Sequence, residues 1–127
     1  MKRVILGFLT VALAAAFSIA GAQDQQQGKM QTAARSFTGE IMDAACANMG
    51  SHDTMMKQEG ASSAKECSDK CVQGGSKYVL FDKTQKRTYQ LSDQDQAKQY
   101  SGQRVTVKGS FDRGNQSIKV GSIEPAP

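Results

Sequence analysis

The chain has 127 residues, three cysteines and a formal net charge of +4 at pH 7. Its length fits one small domain. Two of the positive charges, Lys2 and Arg3, belong to an N-terminal leader, and without them the net charge falls from +4 to +2. Such a low charge does not provide the basic surface that nucleic-acid binding requires, so we expect no nucleic-acid partner.

The first 22 residues have the pattern of a secretory signal peptide. Lys2 and Arg3 form a basic start, residues 4–20 are apolar and uncharged, and Ala20-Gly21-Ala22 gives the small-x-small pattern of a cleavage site. An uncleaved anchor is the alternative, because the apolar run is close to the shortest that can span a bilayer. We expect cleavage after Ala22 and a periplasmic or secreted protein with no stable membrane insertion.

After the leader, the sequence divides into a polar lead, one domain and a tail. Residues 23–36 are Gln-rich and polar, which predicts a flexible segment. Residues 37–124 form the predicted domain, and residues 125–127 a short tail. A domain of that size has a modest core, so a covalent or metal cross-link would help to stabilise it.

Five segments have the alternation or the aromatic and β-branched content of short strands: residues 37–43, 77–82, 87–91, 104–111 and 116–124. In the last strand the apolar alternation slips at Gly121, which predicts a β-bulge. Two segments carry helix start and stop signals: residues 62–75, capped by Ser62 or Ser63, and residues 92–102. Residues 46–60, between the first strand and the first helix, are predicted as a loop.

This element order predicts a mainly β domain with two short helices. Five short strands with a helix between the third and the fourth follow the order of an OB-fold, a small Greek-key β-barrel. Closure of a barrel also removes the exposed strand edges that a secreted protein must protect. The alternative is an open α+β sheet.

The sequence as a whole resembles a functionally uncharacterised family of small secreted bacterial proteins. The resemblance rests on "GEIMDAAC", "ECSDKC", "GGSKYVLFD", "YQLSDQDQ" and "YSGQRVTVKGSF", and it covers nearly all of residues 37–124. The second half is also similar to the late strands of bacterial OB-fold domains. The resemblance implies a secreted domain with a Cys–His–Cys–Cys set and does not imply an activity.

The cysteines allow a structural disulfide. Cys67 and Cys71 are four residues apart on the predicted helix, where Cβ atoms lie ~5–6 Å apart, further than the ~3.8 Å that a disulfide prefers. The expected bridge therefore joins Cys46 to Cys67 or to Cys71 and closes a loop of roughly 20 residues, which contributes about 3 kcal/mol. The protein would then be a stapled binding or interaction module.

The same cysteines also allow a metal site. Cys46, His52, Cys67 and Cys71 have the spacing C-x5-H-x14-C-x3-C, and three thiolates with one imidazole satisfy tetrahedral Zn²⁺. Copper is a further alternative, since thiolates and thioethers select Cu(I). The methionines near His52 that could take part are Met49, Met55 and Met56, although methionine is also a common filler of irregular packing.

Other functions have weaker support in the sequence. No G-x-S-x-G nucleophile motif occurs. No sequence pattern identifies the orienting group and the oxyanion hole that a thiol nucleophile such as Cys46 would need. We therefore expect no enzyme activity, with a thiol-based reaction as the alternative. Asp43 and Asp53 flank the cysteine segment, and acids in such positions cap or solvate loop ends more often than they act as partners of a ligand such as His52. We expect a monomer that binds a small ligand or another envelope protein.

Overall fold

The computed structural model describes residues 33–127, so the predicted signal peptide and most of the predicted polar lead lie outside the described part of the chain. The described part contains five strands: β1 (Arg35–Asp43), β2 (Tyr78–Asp82), β3 (Arg87–Leu91), β4 (Arg104–Asp112) and β5 (Ser117–Pro125). Each lies within two residues of its predicted position. The prediction of a mainly β domain with five short strands is confirmed.

The strands form a closed ring of hydrogen-bonded neighbours in the order β1-β2-β3-β5-β4. β1 closes the ring because its first half pairs with β4 and its second half with β2, and Glu40 takes part in both pairings. The β4–β5 register shifts opposite Gly121, since Lys108 pairs with Ser122 and Gly109 with Val120. The bulge predicted at Gly121 is therefore confirmed, and the open-sheet alternative is wrong.

Within residues 33–127, four helices accompany the strands, and the prediction of two was wrong. The predicted helices are α3 (Ala64–Gln73), capped by Ser63, and α4 (Gln94–Gln99), capped by Asp93. The two others, α1 (Ala44–Met49) and α2 (Asp53–Glu59), occupy the segment that was predicted as a loop. A glycine in the left-handed conformation ends each of them, Gly50 after α1 and Gly60 after α2. Glycine has no Cβ atom, so it adopts this conformation without steric strain.

The ring is packed on both of its faces near β1 and β2. Ile41 and Leu80 point into the main core, together with the buried valines and isoleucines of β4 and β5. The next residues along each strand, Met42 and Phe81, point outward into a second buried cluster that includes Cys46 and Cys67. Helices α1–α3 therefore cover the outer face of β1 and β2, which explains why β2 reads as a continuous apolar run.

Gly39 allows β1 to cross β2 closely. A Cβ atom at this position would lie 2.6 Å from the carbonyl oxygen of Phe81, closer than van der Waals contact permits. The crossing sets the next residue, Glu40, at the edge of the outer cluster. Within residues 33–127, no helix has the length and apolar content needed to span a bilayer.

Candidate metal centre

Asp43 fixes the position of Cys46. It ends β1 and caps α1, where its Oδ1 accepts hydrogen bonds from the backbone N–H groups of Ala45 and Cys46, both at 3.0 Å. An aspartate directly before a helix satisfies amide groups that otherwise have no partner. The short helix holds Cys46 on its inner side, where the residue is fully buried.

Helix α3 supplies the second buried thiol. Ser63 caps the helix by accepting from the Glu66 N–H at 3.2 Å, and Cys67 follows on the face that packs against β1 and β2. The neighbouring Ser68 ties this helix to the end of β1, because its hydroxyl accepts from the Asp43 N–H at 3.2 Å and donates to Asp43 Oδ2 at 3.4 Å. Asp43 and Ser68 thus set α1 and α3 at a fixed separation.

His52 enters the same space from the start of α2. Its backbone carbonyl accepts from the Met56 N–H at 2.8 Å, while its side chain makes no cap and turns inward, leaving the residue 6 % exposed. The ring atom Nε2 lies 3.1 Å from Glu40 Oε1 on β1, and Glu40 Oε2 accepts from Lys83 Nζ at 2.8 Å. The other ring nitrogen, Nδ1, is buried without a hydrogen-bond partner.

These elements bring three donors together. One ligand atom from each of Cys46, His52 and Cys67 lies within 4.8 Å of the other two, and all three residues are buried. The sulfurs of Cys46 and Cys67 are 3.8 Å apart, and both thiols are free. The three donors are therefore close enough to hold a metal ion.

The surroundings of Cys46 and Cys71 raise the pKa of each of these two thiols and so favour the protonated form. Burial raises the pKa of Cys46 far above its ordinary value, and the neighbouring carboxylate of Asp43 raises it further. Burial also raises the pKa of Cys71 to about 11, with a further contribution from the negative charge of Asp43. A thiol with so high a pKa is a weak nucleophile near neutral pH.

The sequence-predicted residues separate into two groups. Cys46, His52 and Cys67 meet, whereas Cys71, one helical turn beyond Cys67 and partly exposed, lies outside this group of donors. Met55 and Met56 are partly buried and pack against the cluster that contains both sulfurs.

Two other predicted residues lie at the surface. Met49 is 47 % exposed. Asp53 is exposed in the first turn of α2, while Asp43 is buried and caps α1, a helix that was not predicted.

Sequence reasoning missed Glu40 and Lys83. Glu40 precedes Cys46 by six residues on a strand whose outward face was not expected to be buried, and Lys83 lies in the β2–β3 turn. The contact between Glu40 and Lys83 depends on the strand register that pairs Glu40 with Phe81. This register cannot be derived from local sequence. The only available signal was the phase of β1, which places Glu40 and Met42 on the same face.

Comparisons of the chain with protein-family models, with curated proteins and with solved structures gave no match.

Proposed function

We propose that this domain is a metal-binding protein in which Cys46, His52 and Cys67 bind one zinc or copper ion. The observation that carries this proposal is the convergence of three buried donors within 4.8 Å, one of which is a histidine with an unpartnered Nδ1. A buried polar atom without a partner is costly, and a metal ion would provide the missing interaction.

The distance between the sulfurs supports this assignment. Two sulfurs bound to one tetrahedral ion at ~2.3 Å each lie ~3.8 Å apart. The Cys46 and Cys67 sulfurs have this separation, 3.8 Å, whereas a disulfide bond is about 2.05 Å long. An ion could therefore enter between the two sulfurs with little movement of α1 or α3.

Glu40 supports the assignment of His52 as a ligand. Histidines that bind metals usually donate the second ring N–H to a carboxylate or carbonyl, which fixes the tautomer. Glu40 Oε1 is placed to accept such a hydrogen bond from Nε2–H, and this tautomer leaves the Nδ1 lone pair for the ion. Lys83 holds the other carboxylate oxygen in place.

Burial favours binding over turnover. A catalytic zinc keeps a position open for water or substrate. Cys46 and Cys67 are fully buried and the pKa of the Cys46 thiol is raised, so neither metal-bound water nor a free Cys46 thiolate is presented to a substrate. We propose that the protein is a non-enzymatic binding protein, secreted or periplasmic, with a zinc or copper ion as its ligand.

We further propose that the domain is OB-fold-like. The strand order β1-β2-β3-β5-β4, closed by β1, and a helix between β3 and β4 support this assignment. The metal site would then lie outside the barrel, in the long β1–β2 connection.

Metal titration of the purified, reduced protein tests the function. We expect one zinc or copper ion per chain by native mass spectrometry, and loss of the bound ion in Cys46→Ser, Cys67→Ser and His52→Ala. Cys71→Ser is the matched control, because it removes a thiol from the same helix without removing one of the three donors. Equal metal content in Cys46→Ser and the wild type would refute the proposal.

The second candidate function is the interaction module stapled by a Cys46–Cys67 disulfide. It is favoured by the short distance between these sulfurs and by the oxidising compartment predicted from the signal peptide. A protein isolated from the periplasm would then be lighter by two hydrogens and have one reactive thiol, at Cys71. A protein with three reactive thiols after metal removal would exclude the staple.

A further inference from the structure

We propose that the site selects Cu(I), and that the thioether of Met55 or Met56 completes the coordination begun by Cys46, His52 and Cys67. This inference rests on the proposed metal-binding function and specifies the ion and the additional ligand. It follows from the number of donors, the position of α2 and the chemistry of the surrounding side chains.

The described residues supply three strong donors and not four. A closed structural zinc site uses four ligands drawn from thiolates, imidazoles and carboxylates. In the part of the chain that the structure describes, no fourth cysteine, histidine or acid joins the group, and Cys71 lies outside it. Water is a poor substitute here, because Cys46 and Cys67 are fully buried.

Helix α2 places two methionines, Met55 and Met56, against the cluster that contains Cys46 and Cys67. The Met56 N–H donates to the His52 carbonyl at 2.8 Å, so Met56 is one helical turn beyond His52. Residues three and four positions apart share a helix face, which puts Met55 and Met56 on the face of His52.

The chemistry of this set favours Cu(I) over Zn²⁺. Thioether sulfur is a soft, uncharged donor that suits Cu(I), whereas zinc sites in proteins use thiolate, imidazole and carboxylate. The rest of the cluster is apolar and includes the fully buried Met42 together with Val79 and Phe81. Such a dry shell limits the access of solvent to a bound ion.

Competition between the two ions, with methionine variants, tests the inference. Cu(I), supplied under nitrogen with a chromogenic Cu(I) chelator as competitor, and Zn²⁺, with a zinc dye, are titrated into the reduced full-length protein. The variants are Met55→Leu, Met56→Leu and the double variant, since leucine retains volume and packing. Met49→Leu is the matched control, because Met49 is on α1 and exposed.

We expect one Cu(I) per chain that excess Zn²⁺ does not displace. The double variant should bind Cu(I) at least about tenfold more weakly, while Met49→Leu and the zinc affinity stay unchanged. X-ray absorption should show three sulfur neighbours of copper in the wild type and two in the double variant. If Met55 and Met56 only fill space in the packing, the wild type and all of the leucine variants should bind Cu(I) with equal affinity.

The possible results separate this inference from the function on which it rests. If Cys46→Ser abolishes binding but zinc displaces Cu(I), or the double variant behaves like Met49→Leu, the choice of Cu(I) with a thioether ligand is overturned and the metal-binding function stands. If neither ion binds in a one-to-one ratio, or binding survives in Cys46→Ser, both are overturned.

Discussion

Replacing Glu40 by glutamine tests whether Glu40 holds His52 in the tautomer that the proposed metal binding requires. Glu40 is 17 % exposed. Its Oε1 lies 3.1 Å from His52 Nε2, and its Oε2 lies 2.8 Å from Lys83 Nζ. The hydrogen bond with His52 is the main cause that lowers the pKa of Glu40, burial opposes it, and Lys83 lowers the pKa further. The carboxylate is therefore charged near neutral pH and stabilises a protonated Nε2.

The size of the effect follows from this contact. Glutamine has nearly the same shape but no charge, and its amide can also present N–H to Nε2, so the tautomer with a free Nδ1 loses its preference. Loss of such an outer partner reduces metal affinity by about 10- to 100-fold, which corresponds to about 1.4–2.8 kcal/mol. The fold should persist, because the main core does not contain this side chain.

Competition with a chromogenic chelator measures the affinity of Glu40→Gln against the wild type. The matched control is Glu124→Gln, which removes the same charge from an exposed ion pair with Lys108 at 3.0 Å. We expect no change of metal affinity in the control. Equal affinity in Glu40→Gln and Glu124→Gln would refute the role of Glu40 and weaken the assignment of His52 as a ligand.

The same residue predicts a pH dependence for the metal-free protein. The pKa of Glu40 is lower in the folded than in the unfolded state, where it is near 4.5, so its stabilising effect is complete above pH ~4.5 and is lost as the pH falls through the folded value. Denaturant unfolding of the metal-free wild type should therefore show a steeper loss of stability in acid than Glu40→Gln. Parallel acid limbs would contradict this expectation.

Three further predictions concern the fold and the third cysteine. Gly39→Ala should lower the free energy of unfolding by about 1–3 kcal/mol, measured by urea unfolding, because the new Cβ would meet the Phe81 carbonyl oxygen at 2.6 Å. Ser63→Ala should cost about 1 kcal/mol in the same assay, since the Glu66 N–H loses its capping hydroxyl. In the metal-loaded protein, iodoacetamide should modify Cys71 alone, slowly at pH 8 and faster toward pH 11, because its pKa is raised to about 11.

Each of these predictions has a control within the chain. Gly121→Ala is the control for Gly39→Ala, because the new Cβ atom would lie 3.2 Å from its nearest neighbour, the Lys108 carbonyl oxygen. Equal losses of unfolding free energy in both variants would argue against the close crossing. Ser63→Asp retains a capping oxygen and should keep the stability of the wild type. Modification of Cys46 or Cys67 as fast as Cys71 would contradict their burial beneath a bound ion.

The strands were predictable because apolar and polar residues alternate along them, with the apolar residues facing the interior of the closed ring. Tyr89 and Leu91 point inward from β3, Val105 and Val107 from β4, and the bulge was visible as a slip of phase at Gly121. Helices α1 and α2 could not be found in this way. They have six and seven residues, too few to repeat an apolar pattern, and their only signals are the cap at Asp43 and the glycines that follow each helix.

The sequence predicted a group of four donors, and the structure brings three of them together, Cys46, His52 and Cys67. The i, i+4 spacing made Cys67 and Cys71 appear equivalent, yet the phase of α3 buries Cys67 and leaves Cys71 partly exposed. The phase is set by tertiary contacts, above all the bonds between Ser68 and Asp43. The same limit hid Glu40, since contacts across a strand register are not encoded in local spacing.

The placement of the donors predicts that the proposed metal binding would order the surrounding helices locally and would not be required for the overall fold. The main core lies inside the strands, while Cys46 and Cys67 lie on the short helices α1 and α3, and His52 directly precedes α2, which has no buried residue within it. Helices this short are marginal unless other groups hold them in place. An ion bound by one residue from each helical segment would supply that constraint. We therefore expect bound metal to slow amide hydrogen exchange in residues 44–73 while β4 and β5 exchange as before, whereas uniform protection of the whole domain would show that the barrel itself depends on the metal.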